Sequence, residues 1–131
     1  MSKGLKKVLI VDDEETLTWS MAKSLSKDRD KYEVMIANNG KEALAQIATV
    51  KLDLVLLDIM MPDMDGWDVF RKMKEKDPGI PIAILTAKAQ NIDKLLGLHV
   101  LKADDYITKP FGKNELISKV KKLTESTEKN K

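Results

Sequence analysis

Short β-branched apolar runs alternate along this chain with longer stretches whose apolar residues recur every three or four positions. Lys7-Val-Leu-Ile-Val11 has the continuous apolar character of a buried strand and stops at the acidic cluster Asp12-Asp13-Glu14-Glu15. A helix is predicted from about Glu15 to Arg29, with Leu17, Met21 and Leu25 stacked one turn apart on its inner face. Tyr32 to Ala37 is the second strand. Asn39, with Glu42 three residues on, has the capping-box spacing that opens a helix through Leu44, Ile47 and Ala48. Leu52 to Leu57 is the third strand, apolar on both sides except at Asp53, and it ends at Asp58. After a loop holding Pro62 and Gly66, a helix is predicted from about Trp67 to Lys76, before the breaker Asp77-Pro78-Gly79. Ile80 to Leu85 is the fourth strand, Asn91 to about Leu101 the fourth helix, Asp105 to Thr108 the fifth strand and Lys113 to Leu123 the last helix.

Strands alternating with helices through short connections, with no hairpin signature, call for right-handed crossovers and a parallel sheet. Strands apolar on both faces need helices on both sides, so the pattern predicts a three-layer, doubly wound α/β domain with a five-stranded parallel sheet. One domain is expected over residues 1–123, followed by a polar tail, 124–131, too poor in apolar residues to pack and expected to be disordered.

Composition then narrows the chemistry. Among 131 residues there is no cysteine and one histidine, His99. Disulfide scaffolds, thiolate metal sites and cysteine nucleophiles are excluded, as are multi-histidine metal sites. No apolar run approaches the roughly 20 residues that cross a bilayer. The basic start, Lys3, Lys6 and Lys7, leads into the acidic cluster rather than a signal peptide's apolar core. A soluble, cytoplasmic protein with no membrane partner is therefore expected. The net charge of +2 sums unlike parts, since residues 1–7 and 113–131 each carry +3 and leave −4 for the residues between. Basic ends on an acidic body are not the footprint of a nucleic-acid binder, whose positive charge collects on one structured face.

In such a sheet ligands collect at the carboxyl ends of the strands. There the first strand delivers Asp12 and Asp13, the third Asp58, the fourth Thr86, and the fifth Thr108 and Lys109. Three carboxylates brought together repel unless a cation compensates them. A hard divalent ion such as Mg²⁺ suits, because it takes oxygen ligands and commonly uses carboxylates together with phosphate oxygens. With Lys109 as a fixed positive charge and Thr86 as a hydroxyl donor, the parts that spread the charge of a phosphoryl group in transit converge on one carboxylate.

The strings Val8-Leu-Ile-Val-Asp-Asp-Glu14, Leu56-Leu-Asp-Ile-Met-Met-Pro-Asp-Met-Asp-Gly66, Ile84-Leu-Thr-Ala87 and Ala103-Asp-Asp-Tyr-Ile-Thr-Lys-Pro-Phe111 resemble, in order, the motifs of bacterial two-component response-regulator receiver domains. The resemblance spans roughly residues 5–123. It implies a flavodoxin-like (βα)5 fold of the single-domain chemotaxis type, with strand order 2-1-3-4-5. It also implies a phosphorelay switch rather than a turnover enzyme, in which Asp58 takes a phosphoryl group from the phosphohistidine of a sensor histidine kinase or phosphotransfer protein. By the same resemblance Asp12 and Asp13 hold Mg²⁺, Asp13 more directly, with Asp58 and the backbone carbonyl of Met60 completing the shell. Thr86 and Lys109 bind the phosphoryl oxygens, Tyr106 is the aromatic switch, and the bond before Pro110 is commonly cis. Lys102 stands where the family usually has Gly. With no output domain after Leu123, the chain is expected to be either a stand-alone receiver acting on a protein effector or the excised first domain of a longer regulator, acting on its own output domain.

Alternatives stay open at several positions. Asp12 and Asp13, taken alone, would serve as the charged first turn of the following helix. Tyr106 could be a partly buried strand aromatic and no more. Trp19 falls nearly opposite the centre of Leu17, Met21 and Leu25 on the helical wheel, so it is either a docking contact for the phosphodonor or a residue covered by the last helix. A Mg²⁺-dependent phosphatase of the haloacid-dehalogenase type also forms an aspartyl phosphate, but it needs a second Asp two residues after the nucleophile, where Met60 stands. A flavin-binding carrier would need Ser, Thr and Gly amides where this chain is acidic, and the Gly-rich loop of a P-loop nucleotidase is missing.

Overall fold

The computed structural model describes residues 5–27, 31–61, 64–87 and 103–129. Five strands, β1 (Lys6–Val11), β2 (Tyr32–Ala37), β3 (Leu54–Asp58), β4 (Ile82–Ala87) and β5 (Asp105–Lys109), form one sheet in the order β2-β1-β3-β4-β5. Every neighbouring pair is parallel. The described helices are α1 (Glu15–Ser26), α2 (Gly40–Thr49), α3 (Gly66–Lys76) and α4 (Lys113–Lys129). This is the doubly wound fold and strand order expected. The helix expected over Asn91–Leu101, with His99, and the Lys102 departure lie outside the described residues.

Period-two alternation sends successive strand residues to opposite faces, and each face has its own core. Leu9, Val11, Val55, Leu57, Ile82 and Ile84 pack with Ala43 and Ile47 of α2 and Val69, Phe70 and Met73 of α3. Val8, Ile10, Leu54, Leu56, Ala83, Leu85 and Ile107 pack with Met21 and Leu25 of α1 and Leu116, Val120 and Leu123 of α4. Burial on both faces explains why the central strands are apolar at nearly every position.

Where the observed elements depart from the expected ones, a hydrogen bond usually explains it. β3 begins at Leu54 rather than Leu52, because Asp53 turns its carboxylate onto the Lys7 N–H at 2.8 Å. β4 begins at Ile82, two residues late: Pro81 has no N–H to donate to the ladder, and Asp104 accepts the Ile82 N–H at 2.8 Å. The Asn39 cap is present, its side chain accepting the Glu42 N–H at 2.8 Å, but Glu42 reaches back to the Asn38 N–H rather than to that of the cap residue. On α1 the buried residues are Thr18, Met21 and Leu25, with Leu17 only half-buried. α4 runs to Lys129, so residues 124–129, expected in a disordered tail, continue the helix; Thr124 is buried and donates to the Val120 carbonyl at 2.9 Å.

The segment after β3 matters most for the site. Met60–Met61 and Met64–Asp65 pair as a two-residue antiparallel ribbon, and α3 starts at Gly66 against it. A Cβ on Gly66 would collide with the backbone of Ile59, meeting its carbonyl carbon at 2.7 Å. Glycine here lets the helix start close on the residue that follows Asp58.

Candidate functional site

Parallel pairing brings residues distant in sequence to one edge. The register Val11↔Leu57 places Asp12 beside Asp58, Asp58 itself lies opposite Leu85, and Thr86↔Thr108 and Ala87↔Lys109 carry β4 and β5 to the same level. Alternation continues the row Val8, Ile10 into Asp12, the row Leu54, Leu56 into Asp58, and Ile107 into Lys109, so these three share the face that α1 and α4 cover. Thr86 continues the opposite row, Ile82 and Ile84. Tyr106 is paired with Ile84 and packs, half-buried, on that same face, so Thr86 and Tyr106 are near neighbours there.

The trio is closely joined. The Lys109 ammonium donates to Asp12 Oδ2 at 2.7 Å and to Asp58 Oδ2 at 3.1 Å. The remaining oxygens take backbone donors: Asp12 Oδ1 accepts the Glu14 N–H at 2.9 Å, and Asp58 Oδ1 accepts the Met60 N–H at 2.8 Å. Asp12, Asp58 and Thr86 are all buried, whereas Asp13 is exposed at the rim. The Lys109–Pro110 peptide is cis.

Burial pushes the Asp12 carboxyl above its ordinary range; the Lys109 and Glu14 hydrogen bonds oppose that push, and the Asp58 charge adds to it. Burial works against the charged form of Lys109 as well, but the hydrogen bonds and charges of Asp12 and Asp58 outweigh it and hold the ammonium above its usual pKa. The sign for Asp12 gives a prediction. A carboxyl whose folded pKa is raised makes the folded state bind protons more readily than the unfolded state, so stability falls as pH rises from the ordinary carboxylate range through the raised value. Asp12→Asn removes this penalty. It should be more stable than the wild type at neutral pH without divalent metal, and denaturant midpoints should show that advantage shrinking as the pH is lowered through the same window. An advantage that grows on acidification would contradict the assignment.

One oxygen from each of Asp12, Asp13 and Asp58 lies within 4.8 Å of the others. Three hard oxygen donors against one lysine leave the cluster anionic, and the donor set fits a small divalent cation. The expected residues Asp12, Asp13, Asp58 and Lys109 are thus brought together, with Thr86 beside them. Trp19 is 62% exposed, so α4 does not cover it, and the Lys23 ammonium sits 4.8 Å from its ring centroid. Sequence reasoning missed Lys119 on α4, which donates to Asp105 Oδ1 at 3.0 Å and to the Tyr106 carbonyl at 3.3 Å, tying α4 to the backbone that carries Tyr106. Nothing in the sequence separates it from the other lysines of that helix.

Comparison with known proteins gives a consistent picture. The response regulator receiver domain family matches residues 8–121. The alkaline phosphatase synthesis transcriptional regulatory protein PhoP of Bacillus subtilis is 42% identical over 123 residues, which is 94% of this chain and 50% of that protein, so the chain spans about half the length of this relative. A CheY-like receiver domain protein from Methanospirillum hungatei superposes with a TM-score of 0.85 at 34% identity, covering 97% of this chain and 99% of the other. The receiver domain of Francisella response regulator 1452 gives 0.81 at 33% identity, covering 93% and 98%. A haloacid-dehalogenase-type phosphatase is not favoured by these matches.

Proposed function

The chain belongs to the response regulator receiver domain family, and on that premise we propose that Asp58 accepts the phosphoryl group, taken from a sensor histidine kinase or a phosphotransfer protein. Receiver domains are the phosphorylation-operated switches of two-component systems, and they bind Mg²⁺ at an acidic pocket. The observation that carries the assignment is the convergence on Asp58 of the Lys109 ammonium at 3.1 Å and of two further carboxylates within 4.8 Å.

Asp58 attacks phosphorus as a carboxylate anion, so no general base is needed. The new bond runs from a carboxylate oxygen to phosphorus, and the donor nitrogen leaves with the electron pair of the broken bond. Asp12, Asp13, Asp58 and the Met60 carbonyl would hold Mg²⁺, which when bound screens the repulsion between the carboxylate and the incoming phosphoryl oxygens. Lys109 supplies a second positive charge, already aimed at Asp58. Thr86 would donate its hydroxyl to a phosphoryl oxygen. Tyr106, on the same face as Thr86, would then follow Thr86 and change the surface around β5 and α4. In this reading the chain is a phosphoacceptor that catalyses only its own phosphorylation and slow dephosphorylation, and its output is altered binding of a downstream protein or of an attached output domain. Trp19, exposed on the outer face of α1, supplies an apolar contact for the donor.

Labelling from a small phosphodonor should require Mg²⁺ and vanish with a chelator. Asp13→Asn should raise the Mg²⁺ concentration for half-maximal labelling by about tenfold or more. Equal labelling in the presence of chelator would remove the metal from the account.

A further inference from the structure

We propose that Met60 is a peroxide-oxidisable residue whose conversion to the sulfoxide shortens the life of the phosphorylated state. This inference rests on Asp58 being the phosphoacceptor. Of the seven methionines in the chain, Met21, Met61 and Met73 are buried and Met35 is half-buried, whereas the Met60 side chain is 56% exposed. Apart from Trp19, it is the only large apolar side chain so exposed among the described residues. Its own N–H donates to Asp58 Oδ1 at 2.8 Å, and the ribbon pairing Met60↔Asp65 fixes its backbone. The thioether therefore sits no farther from the Asp58 carboxylate than one hydrogen bond plus the length of its own side chain.

The chemistry follows from that placement. A sulfur lone pair attacks one oxygen of hydrogen peroxide, the S–O bond forms, the O–O bond breaks, and the displaced hydroxide takes up a proton to leave as water. Sulfur is oxidised to the sulfoxide and the peroxide is reduced to water. The side chain changes from an apolar group into a polar one carrying a strong hydrogen-bond acceptor. Asp58 is only 6% exposed, so few water molecules can approach an acyl phosphate on it, and an apolar thioether within side-chain reach of it does not hold one in place. A sulfoxide oxygen does, and an ordered water next to phosphorus raises the rate of hydrolysis. Met21, Met61 and Met73, being buried, are shielded from the same oxidant, which favours Met60 over them.

The test has two arms. Wild-type protein is treated with graded hydrogen peroxide and peptide-mapped for added oxygen; Met60 should be oxidised ahead of Met35, Met61, Met21 and Met73, and equal rates across these methionines would overturn the proposal. Protein phosphorylated with acetyl phosphate and Mg²⁺ is then freed of donor, and the loss of the phosphoryl group is followed by intact mass with and without prior oxidation. Oxidation should accelerate loss about two- to tenfold, the range one net hydrogen bond spans. The effect should be reversed by methionine sulfoxide reductase and should disappear when peroxide-treated and untreated Met60→Leu are compared. Met60→Gln, a polar side chain of similar length, should shorten the lifetime without peroxide. If oxidised wild type decays at the untreated rate, or Met60→Leu responds to peroxide as wild type does, the proposal is wrong. If untreated protein takes no phosphoryl group, it is the assignment of Asp58 that fails, while the peptide map still decides whether Met60 is the oxidised residue.

Discussion

Lys109→Ala should lower the stability of the metal-free domain by about 3 kcal/mol, because it strips the positive partner from two buried carboxylates and leaves their repulsion uncompensated. The lower end of the usual range applies, since the Lys109 side chain is 20% exposed and some water already reaches it. The ammonium lies 2.7 Å from Asp12 and 3.1 Å from Asp58, so both charges lose their partner together. Added Mg²⁺ should return more stability to the variant than to the wild type, because the cation then supplies compensation that Lys109 no longer provides. Chemical denaturation with and without Mg²⁺ measures both effects. Lys109→Ala should also uncouple phosphorylation from any change in partner binding, since Mg²⁺ can still support phosphorylation while the β5 ammonium that orients the phosphoryl group is gone. A metal-free midpoint equal to that of the wild type would show that Lys109 does not balance the cluster.

Taken with the Asp12→Asn prediction, this places the site under opposing demands. The carboxylates that would hold a metal destabilise the fold when the metal is absent, and one lysine offsets part of that cost. Removing a negative charge stabilises and removing the positive one destabilises. The same asymmetry makes the site responsive, because a bound cation or a phosphoryl group changes the local charge where it is least balanced.

The sheet was legible in the sequence because its strands are apolar on both faces. Residues such as Val8 to Val11 and Leu54 to Leu57 have no polar alternative arrangement, and once the strands are parallel, the acids that end them must meet at one edge. Asp12, Asp13, Asp58 and Lys109 were visible for that reason. Strand starts were less so. Ile80 and Pro81 look like strand residues, yet the missing proline N–H and the Asp104 carboxylate move the start of β4 to Ile82; at its other end the strand includes Thr86 because Thr86 and Ala87 pair with Thr108 and Lys109 of β5. The end of α4 was hidden for a different reason: Thr124 and the residues after it are polar, and the burial of Thr124 depends on its neighbours in space, which periodicity does not reveal. Trp19 shows the opposite case, where helical geometry alone placed an apolar residue on the outer face and the structure leaves it exposed.

The second large effect concerns Asp58, on which the whole account turns. Like Asp12, it is held by Lys109 and by a backbone N–H, here that of Met60, and it ends β3, the central strand of the sheet. Asn in its place keeps the shape and can still accept hydrogen bonds, but its amide is a far poorer nucleophile toward phosphorus, so phosphorylation should be lost while folding is kept. The direct measurement is intact mass after incubation with acetyl phosphate and Mg²⁺. Wild type should gain the mass of one labile phosphoryl group and Asp58→Asn none. No adduct on wild type, or an undiminished adduct on Asp58→Asn, would contradict the assignment of Asp58 as the phosphoacceptor.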